Sequence, residues 1–262
     1  MDTYLPQFDL RNFRLDERVA LVTGAGRGIG FGIAQGLAAA GCAVAIQDID
    51  LQVAQAAVDY IQQQGGRAVA LDGNIEDLML PQRLIAATQE QLGGLHILIN
   101  NASVQHPIHW LDLTLQDIEK DLRADLVSPL LFCQQAAKVF RDQEFGRIIN
   151  IGSIQGKGGN PGMLPYSISK SAMEHMTRAI ARDLAKHNIT ANLLAPGYFN
   201  TWRNRDEFKT EEEMKKRGES FVPLKRVGQP QDCAGIALLL CSEAGAYITG
   251  QTIYVDGGLS AR

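Results

Sequence analysis

Tyr166 and Lys170, in Tyr-Ser-Ile-Ser-Lys, put a phenol and an ammonium four residues apart. On a helix that spacing places both on one face. A positive charge beside a phenol favours its ionised form. Such a tyrosine can take a proton from an alcohol, or return one to an alkoxide, near neutral pH. Ser153, at the end of an apolar run, could hydrogen-bond the same substrate oxygen. Tyr-xxx-Lys alone is commonplace on solvated helix faces, so its weight comes from what accompanies it.

What accompanies it is Thr23-Gly-Ala-Gly-Arg-Gly-Ile-Gly30. Glycines let a backbone approach a pyrophosphate closely, and the helix N-terminus that follows favours negative charge. Gly24, Gly28 and Gly30 are the candidates. Their spacing differs from the G-x-G-x-x-G fingerprint, and a tight turn would use the same residues. The flanking pattern, a strand before and a helix after, favours the phosphate reading. Asp48 ends the second strand and can accept hydrogen bonds from both ribose hydroxyls of an adenosine. It would also repel a 2′-phosphate, whereas Arg27 in the glycine loop could pair with one. With no Arg in Asp48-Ile-Asp50, the balance points to NAD, with NADP the less favoured cofactor. The other use of Asp48 would be as a helix N-cap.

The elements that must position these groups alternate along the chain. Apolar strand-like runs are expected at 18–23, 43–46, 69–71, 95–99, 147–151, 189–194 and 251–255. Helices are expected at 28–40, 50–64, 79–92, 115–141, 165–186 and 230–242. This alternation predicts an α/β fold, a single Rossmann-type domain with a doubly wound, seven-stranded parallel sheet and helices on both faces. Ligands of such sheets bind beyond the carboxyl ends of the strands. The polar, charged stretch 197–228 follows the sixth strand and is read as a substrate lid. Residues 1–14 form an N-terminal extension ahead of the domain at 15–262.

Composition narrows the class. Of 262 residues, 45% are hydrophobic and 21% charged, as in ordinary globular proteins and unlike disordered chains. Lys and Arg number 25 against 29 Asp and Glu, which argues against a nucleic-acid partner. No run of apolar residues is long enough to predict a membrane span, and the N-terminus has no signal-peptide core. Cys42, Cys133, Cys233 and Cys241 form no CxxC pair and lie in apolar surroundings, so reduced core thiols and a cytoplasmic location are expected. His106 and His109 lack the spacing of a metal motif, and no metal is expected.

Taken together, Thr23-Gly-xxx-Gly-Ile-Gly30, Asn100-Asn-Ala102, Gly152-Ser153, Tyr166-xxx-Lys170, Pro196-Gly197 with Thr201, and the tail from Gly250 to Gly258 resemble the short-chain dehydrogenase/reductases over residues 15–262. The resemblance implies a nicotinamide cofactor and reversible alcohol–carbonyl oxidoreduction. It implies that Tyr166 is the acid/base and also contacts the cofactor, that Lys170 assists it and binds the nicotinamide ribose, and that Ser153 positions the substrate oxygen. It implies that Gly24, Arg27, Gly28, Ile29, Gly30 and Asp48 bind the cofactor. Asn74 and Ile75 would flank the adenine, Asn101 and Ala102 would line the cofactor, and Pro196, Gly197, Phe199 and Thr201 would reach the nicotinamide side. A homotetramer is expected by the same resemblance.

Two positions depart from the family pattern. Ser103 replaces the glycine of Asn-Asn-Ala-Gly, and Asp125 stands where the family has a catalytic Asn. That Asn is thought to hold a relay water. An ionised Asp accepts hydrogen bonds but donates none, so an altered proton relay is expected. The alternative is that Asp125 satisfies local backbone groups.

For the substrate, Gln155, Met163, Trp202 and Arg203 are the candidate contacts, with Lys157, His106, His109 and Arg205 behind them. The polar loop 155–160 and the lid arginines favour a polar substrate, since arginine can grip a carboxylate. The C-terminal third is most similar to sugar-acid members of the deoxygluconate and gluconate type. Three readings follow: an NAD-dependent dehydrogenase of a polyol, sugar or sugar acid; an NADPH-dependent 3-oxoacyl-thioester reductase; and a cofactor-binding scaffold or sensor without catalysis.

Overall fold

Seven strands, all parallel, are ordered β3-β2-β1-β4-β5-β6-β7 in a computed structural model that describes residues 9–207 and 210–261. They are β1 (Val19–Val22), β2 (Ala43–Asp48), β3 (Ala68–Asp72), β4 (Ile97–Asn100), β5 (Gly146–Ile151), β6 (Ile189–Pro196) and β7 (Thr252–Val255). The chain steps outward from β1 to β3, then returns to pair β4 on the other side of β1. The expected doubly wound sheet is therefore present, and its switch point lies between β1 and β4.

The strands read as continuous apolar runs because both faces are covered. Alternate residues of β1 serve the two faces. Ala20 and Val22 pack with Ile33 and Leu37 of α1 (Gly28–Ala39), Val58 and Ile61 of α2 (Leu51–Gln63) and Leu240 of the last helix. Val19 and Leu21 pack with Leu84 of α3 (Leu80–Leu92) and Phe132 and Phe140 of the helix before β5. The four cysteines are buried and unpaired. Burial pushes the Cys42, Cys133 and Cys233 thiols up to about 12, which leaves them protonated and unreactive at neutral pH.

The helix expected at 115–141 is broken into three parts. After α4 (Leu115–Leu122), opened by a capping box between Thr114 and Asp117, the chain makes a π-helical turn over Arg123–Val127 and resumes as α5 (Ser128–Asp142). The cause is Pro129, which has no N–H to give the Asp125 carbonyl. The Ser128 N–H bonds the Arg123 carbonyl, a five-residue step, and the π turn carries Asp125.

Helices α6 (Gln155–Gly158) and α7 (Leu164–Leu184) follow β5. The expected irregular lid is partly helical: α8 spans Glu211–Phe221 and precedes α9 (Ala234–Cys241). Thr210 caps α8 by accepting from the Glu213 N–H, and three glutamates occupy the first turn, where the helix dipole favours them. Of the N-terminal extension, residues 1–8 lie outside the described residues, and Leu10–Phe13 form one exposed turn of 3-10 helix. No described helix is long and apolar enough to cross a membrane.

The strand register sets Val22 beside Ile99, Asn100 beside Asn150, and Ile151 beside Leu194. The loops after β1, β4, β5 and β6 therefore leave one edge of the sheet together.

Candidate active site

At the switch point the glycine loop and the end of β4 touch backbone to backbone. Gly24 has φ +59°, and a Cβ there would lie 2.8 Å from the Ala102 Cα. A Cβ on Gly30 would collide with Asn101 Nδ2. These glycines are required by close approach, and the resulting crevice lies over the N-terminus of α1. Asn101 Nδ2 donates to the Thr23 and Gly24 carbonyls at 2.9 and 2.8 Å. The Thr23 hydroxyl accepts the N–H groups of Asn101 and Ala102, both at 3.0 Å. Buried Gln47 accepts the Gly24 N–H at 3.0 Å and donates to the Gly73 carbonyl at 2.7 Å. Thr23 and Gln47 were not among the sequence candidates. Their signal was a polar side chain within or ending an apolar strand.

Asp48 is 7% exposed at the end of β2 and accepts the Gly26 and Asp50 N–H groups at 3.2 and 3.3 Å. The N-cap of α2 is Asp50, which accepts from Gln52 and Val53, so Asp48 is not the cap. Its carboxylate instead borders the glycine loop. Asn74 accepts the Glu76 N–H just beyond β3, beside buried Ile75. A glycine cradle at a helix N-terminus with a carboxylate at its rim fits an adenine dinucleotide in shape and in charge.

Tyr166 and Lys170 lie one turn apart near the start of α7, which Pro165 opens in its first turn. Tyr166 is 6% and Lys170 3% exposed. Lys170 Nζ donates to the Ile151 carbonyl at 2.9 Å and sits 5.4 Å from the Tyr166 ring centre. The loop after β5 packs against the same turn, since a Cβ on Gly156 would lie 3.0 Å from the Lys170 carbonyl carbon. Ser153 Oγ accepts the Gln155 N–H at 3.1 Å. The phenol, the ammonium and the serine loop thus converge at the carboxyl end of β5.

Asp125 closes this group from the π turn. It has no exposure, its Oδ1 accepts the Val104 N–H at 2.9 Å, and its Oδ2 has no partner. Burial pushes its carboxyl up to about 6, against the attraction of Lys170, the Val104 bond and Arg203. One turn earlier, buried Asp121 pairs with His106. Two buried carboxylates therefore pin the irregular segment 103–106, the wall between Ala102 and α4. The binding of Val104 agrees with the local backbone use considered for Asp125, but half of its carboxylate remains unspent.

The segment after β6 crosses the crevice. Gly197 donates to the Val255 carbonyl at 3.0 Å, and a Cβ there would meet Asp256 at 2.6 Å. Phe199 is buried against Gly228. Thr201 stands across from Gly28, Trp202 stacks on Arg27, and Arg203 donates to the Ser103 hydroxyl and carbonyl at 3.0 and 2.7 Å. Trp202, a substrate candidate in the sequence, thus lies at the glycine loop. Gln155 begins α6, and Met163 sits half-buried just before α7. Lys157 reaches the Ser260 carbonyl instead, and the His109 ring accepts the Leu111 N–H. The Arg205 side chain lies outside the described residues. Among the described residues no group of three or more His, Cys, Asp or Glu side chains could hold a metal ion.

Residues 24–260 match a family model described as enoyl-(acyl carrier protein) reductase. The chain is 35% identical to a 3-oxoacyl-[acyl-carrier-protein] reductase of Aquifex aeolicus over 249 residues, 94% of this chain and 98% of the relative. It is 33% identical to a 2-dehydro-3-deoxy-D-gluconate 5-dehydrogenase of Dickeya dadantii over 254 residues, 97% of this chain and 99% of the relative. The crystal structure of a gluconate 5-dehydrogenase from Burkholderia cenocepacia, in complex with NADP and tartrate, is similar with a TM-score of 0.89 at 33% identity. That match covers 97% of this chain and 99% of the other.

Proposed function

We propose that this chain, which belongs to the short-chain dehydrogenase/reductase family, interconverts a secondary alcohol and a ketone on a polyol, sugar or sugar acid with NAD(H). As a member of that family it is an NAD(P)-dependent oxidoreductase acting on CH–OH groups. The single observation carrying the mechanism is the Tyr166–Lys170 turn packed against the Ser153 loop beside the glycine crevice. The nicotinamide accepts or supplies the hydride when bound. Tyr166 takes the hydroxyl proton during oxidation and returns it during reduction. Lys170 holds its ammonium 5.4 Å from the Tyr166 ring centre and would bind the nicotinamide ribose. Ser153 orients the substrate oxygen. Asp125, ionised at neutral pH, accepts a hydrogen bond beside Lys170 but donates none, so any proton passing this point uses a relay that differs from that of an asparagine.

Gly24, Gly28, Ile29, Gly30, Asn101 and Ala102 would line the dinucleotide, with Asn74 and Ile75 at the adenine and Pro196, Gly197, Phe199 and Thr201 at the nicotinamide. Asp48 carries the preference for NAD, because its carboxylate borders the loop and would repel a 2′-phosphate. Exchanging Asp48 for serine keeps an acceptor for the Gly26 N–H and removes the charge. The ratio of NADPH to NADH dissociation constants is expected to fall about tenfold or more, since a like charge at close range costs over 1 kcal/mol even when screened. Calorimetric titration of both nucleotides measures it, and an unchanged ratio would remove Asp48 as the selector.

The substrate assignment rests on Arg203 and the polar loop after Ser153, which suit a carboxylate or hydroxyl-rich ligand. A 3-oxoacyl-thioester reductase using NADPH is the second reading, favoured by Arg27 and by the Aquifex relative. Turnover separates the two. Oxidation of gluconate-type acids or polyols with NAD is expected, and efficient reduction of a 3-oxoacyl thioester with NADPH would overturn the first. Leu115, Val127 and Leu130 are exposed on α4, the π turn and α5 and suit coverage by a neighbouring subunit in a homotetramer, which light scattering would measure. The buried thiols fit a reducing compartment, and we place the enzyme in the cytoplasm.

A further inference from the structure

The rim of the dinucleotide crevice carries opposite charges at adjoining positions of the glycine loop. Asp48 holds the Gly26 N–H, and Arg27 is the next residue of the loop. A guanidinium so placed would ordinarily turn to the carboxylate. It does not: among the described residues no carboxylate forms an ion pair with Arg27. Its Cζ lies 3.8 Å from the centre of the Trp202 ring, across the crevice on the segment after β6. At that distance the planar cation is attracted by the negative face of the indole. The neighbours of Trp202 bind both walls as well. Thr201 faces Gly28, and Arg203 holds Ser103. Trp202 is 48% exposed, so burial in a core does not fix its place.

We infer that Trp202 is a cofactor-selectivity residue, which acts by holding Arg27 away from the adenosine end of the crevice. The inference rests on the reading that this crevice binds NAD(H) or NADP(H). With Arg27 on the indole, Asp48 is the charge that meets an incoming 2′ position, and a 2′-phosphate finds a carboxylate without a compensating cation. A phosphate can draw Arg27 back only by breaking the stack. An Arg–phosphate pair is the stronger interaction once formed, so the stack acts as a tax on NADPH that NADH does not pay. Trp202 thereby selects by holding Arg27, and Asp48 selects by charge.

The test is calorimetric titration of the full chain with NADH and with NADPH. Calorimetry is required because Trp202 is one of only two tryptophans, and its loss would itself change protein fluorescence. Trp202→Ala is expected to lower the NADPH/NADH ratio of dissociation constants about two- to fivefold, the factor that corresponds to an exposed cation–π contact. Trp202→Phe keeps an aromatic face and is expected to retain most of the parental ratio. Adding Arg27→Ala to Trp202→Ala is expected to abolish the gain, because the released cation is what produces it. A ratio unchanged in Trp202→Ala overturns the inference, as does a gain that survives loss of Arg27. The two readings fail differently. If the parent prefers NADPH, the role of Asp48 falls while the ratio change still reports on Trp202; if the parent binds neither nucleotide, both fall.

Discussion

Replacing Tyr166 by phenylalanine is expected to lower kcat by about two to four orders of magnitude while the NADH dissociation constant stays within about twofold of the parent. The size follows from removing a positioned proton donor and acceptor at the reacting oxygen. The selectivity follows from the packing. Tyr166 is almost fully buried, and phenylalanine fills the same space, so α7 keeps its seat and Lys170 keeps its bond to the Ile151 carbonyl. The hydrogen bonds described at the glycine crevice come from Thr23, Gln47 and Asn101, and none of them uses the Tyr166 hydroxyl. Steady-state turnover and calorimetry on one preparation separate the two quantities. A Tyr166→Phe variant that retains a tenth or more of parental kcat would remove Tyr166 as the acid/base. A parallel loss of NADH affinity would show that the hydroxyl also supports the cofactor site.

The second large effect is on stability. Burial holds the Asp125 carboxyl up at about 6, above its ordinary value of 3.8. The folded state therefore binds more protons at this residue than the unfolded chain between roughly pH 4 and 6. Stability falls as pH rises through that window, and the deficit persists above it. Two pH units of displacement correspond to roughly 3 kcal/mol. Asp125→Asn keeps an acceptor for the Val104 N–H and removes the buried charge. It is expected to be more stable than the parent by about 1–3 kcal/mol at pH 8 and to match the parent near pH 4. The lower end of that range allows for the unpartnered Oδ2 becoming an amide donor that also needs a partner. Urea denaturation at both pH values measures it. A variant no more stable than the parent at pH 8 would contradict a carboxylate ionised at a cost. The same pair of proteins tests the relay: superimposable pH–rate profiles would take Asp125 out of the proton chemistry.

Much of this site could be read from the sequence because its logic is local. The glycine loop, Tyr166 and Lys170 declare themselves by spacing within one turn or one loop, and the alternation of apolar runs with helical patterns leads directly to the parallel sheet. What was not read falls into two kinds. Some of it had a local signal that periodicity could not express. Pro129 announces that the Asp125 carbonyl loses its helical donor, yet the apolar pattern of 115–141 continues through the π turn unaltered. Thr210 with Glu213 is a helix start, although the surrounding charge made 197–228 look irregular; Lys216–Glu212 and Lys215–Glu219 pairs at helical spacing support it. Asp50 and Asp48 are two residues apart, and only the backbone path decides which one caps α2 and which faces the loop. The other kind is long-range. Gln47 clamps Gly24 to Gly73, Thr23 ties β1 to the end of β4, and Arg203 meets Ser103 a hundred residues away. No window of sequence contains both partners of such contacts. Ser103 was noticed as a departure from Asn-Asn-Ala-Gly, but its hydroxyl gained a purpose only when the guanidinium arrived beside it.

Titrating the purified chain in parallel with NADH and NADPH tests the central claim most directly, because the crevice, Asp48 and the proposed oxidation of sugar acids all depend on the answer. The account predicts saturable NADH binding at micromolar concentrations, with NADPH at least tenfold weaker. Tighter binding of NADPH would contradict it, pass the selector role to Arg27 and favour the thioester reductase; binding of neither would mean that the glycine crevice is not a dinucleotide site.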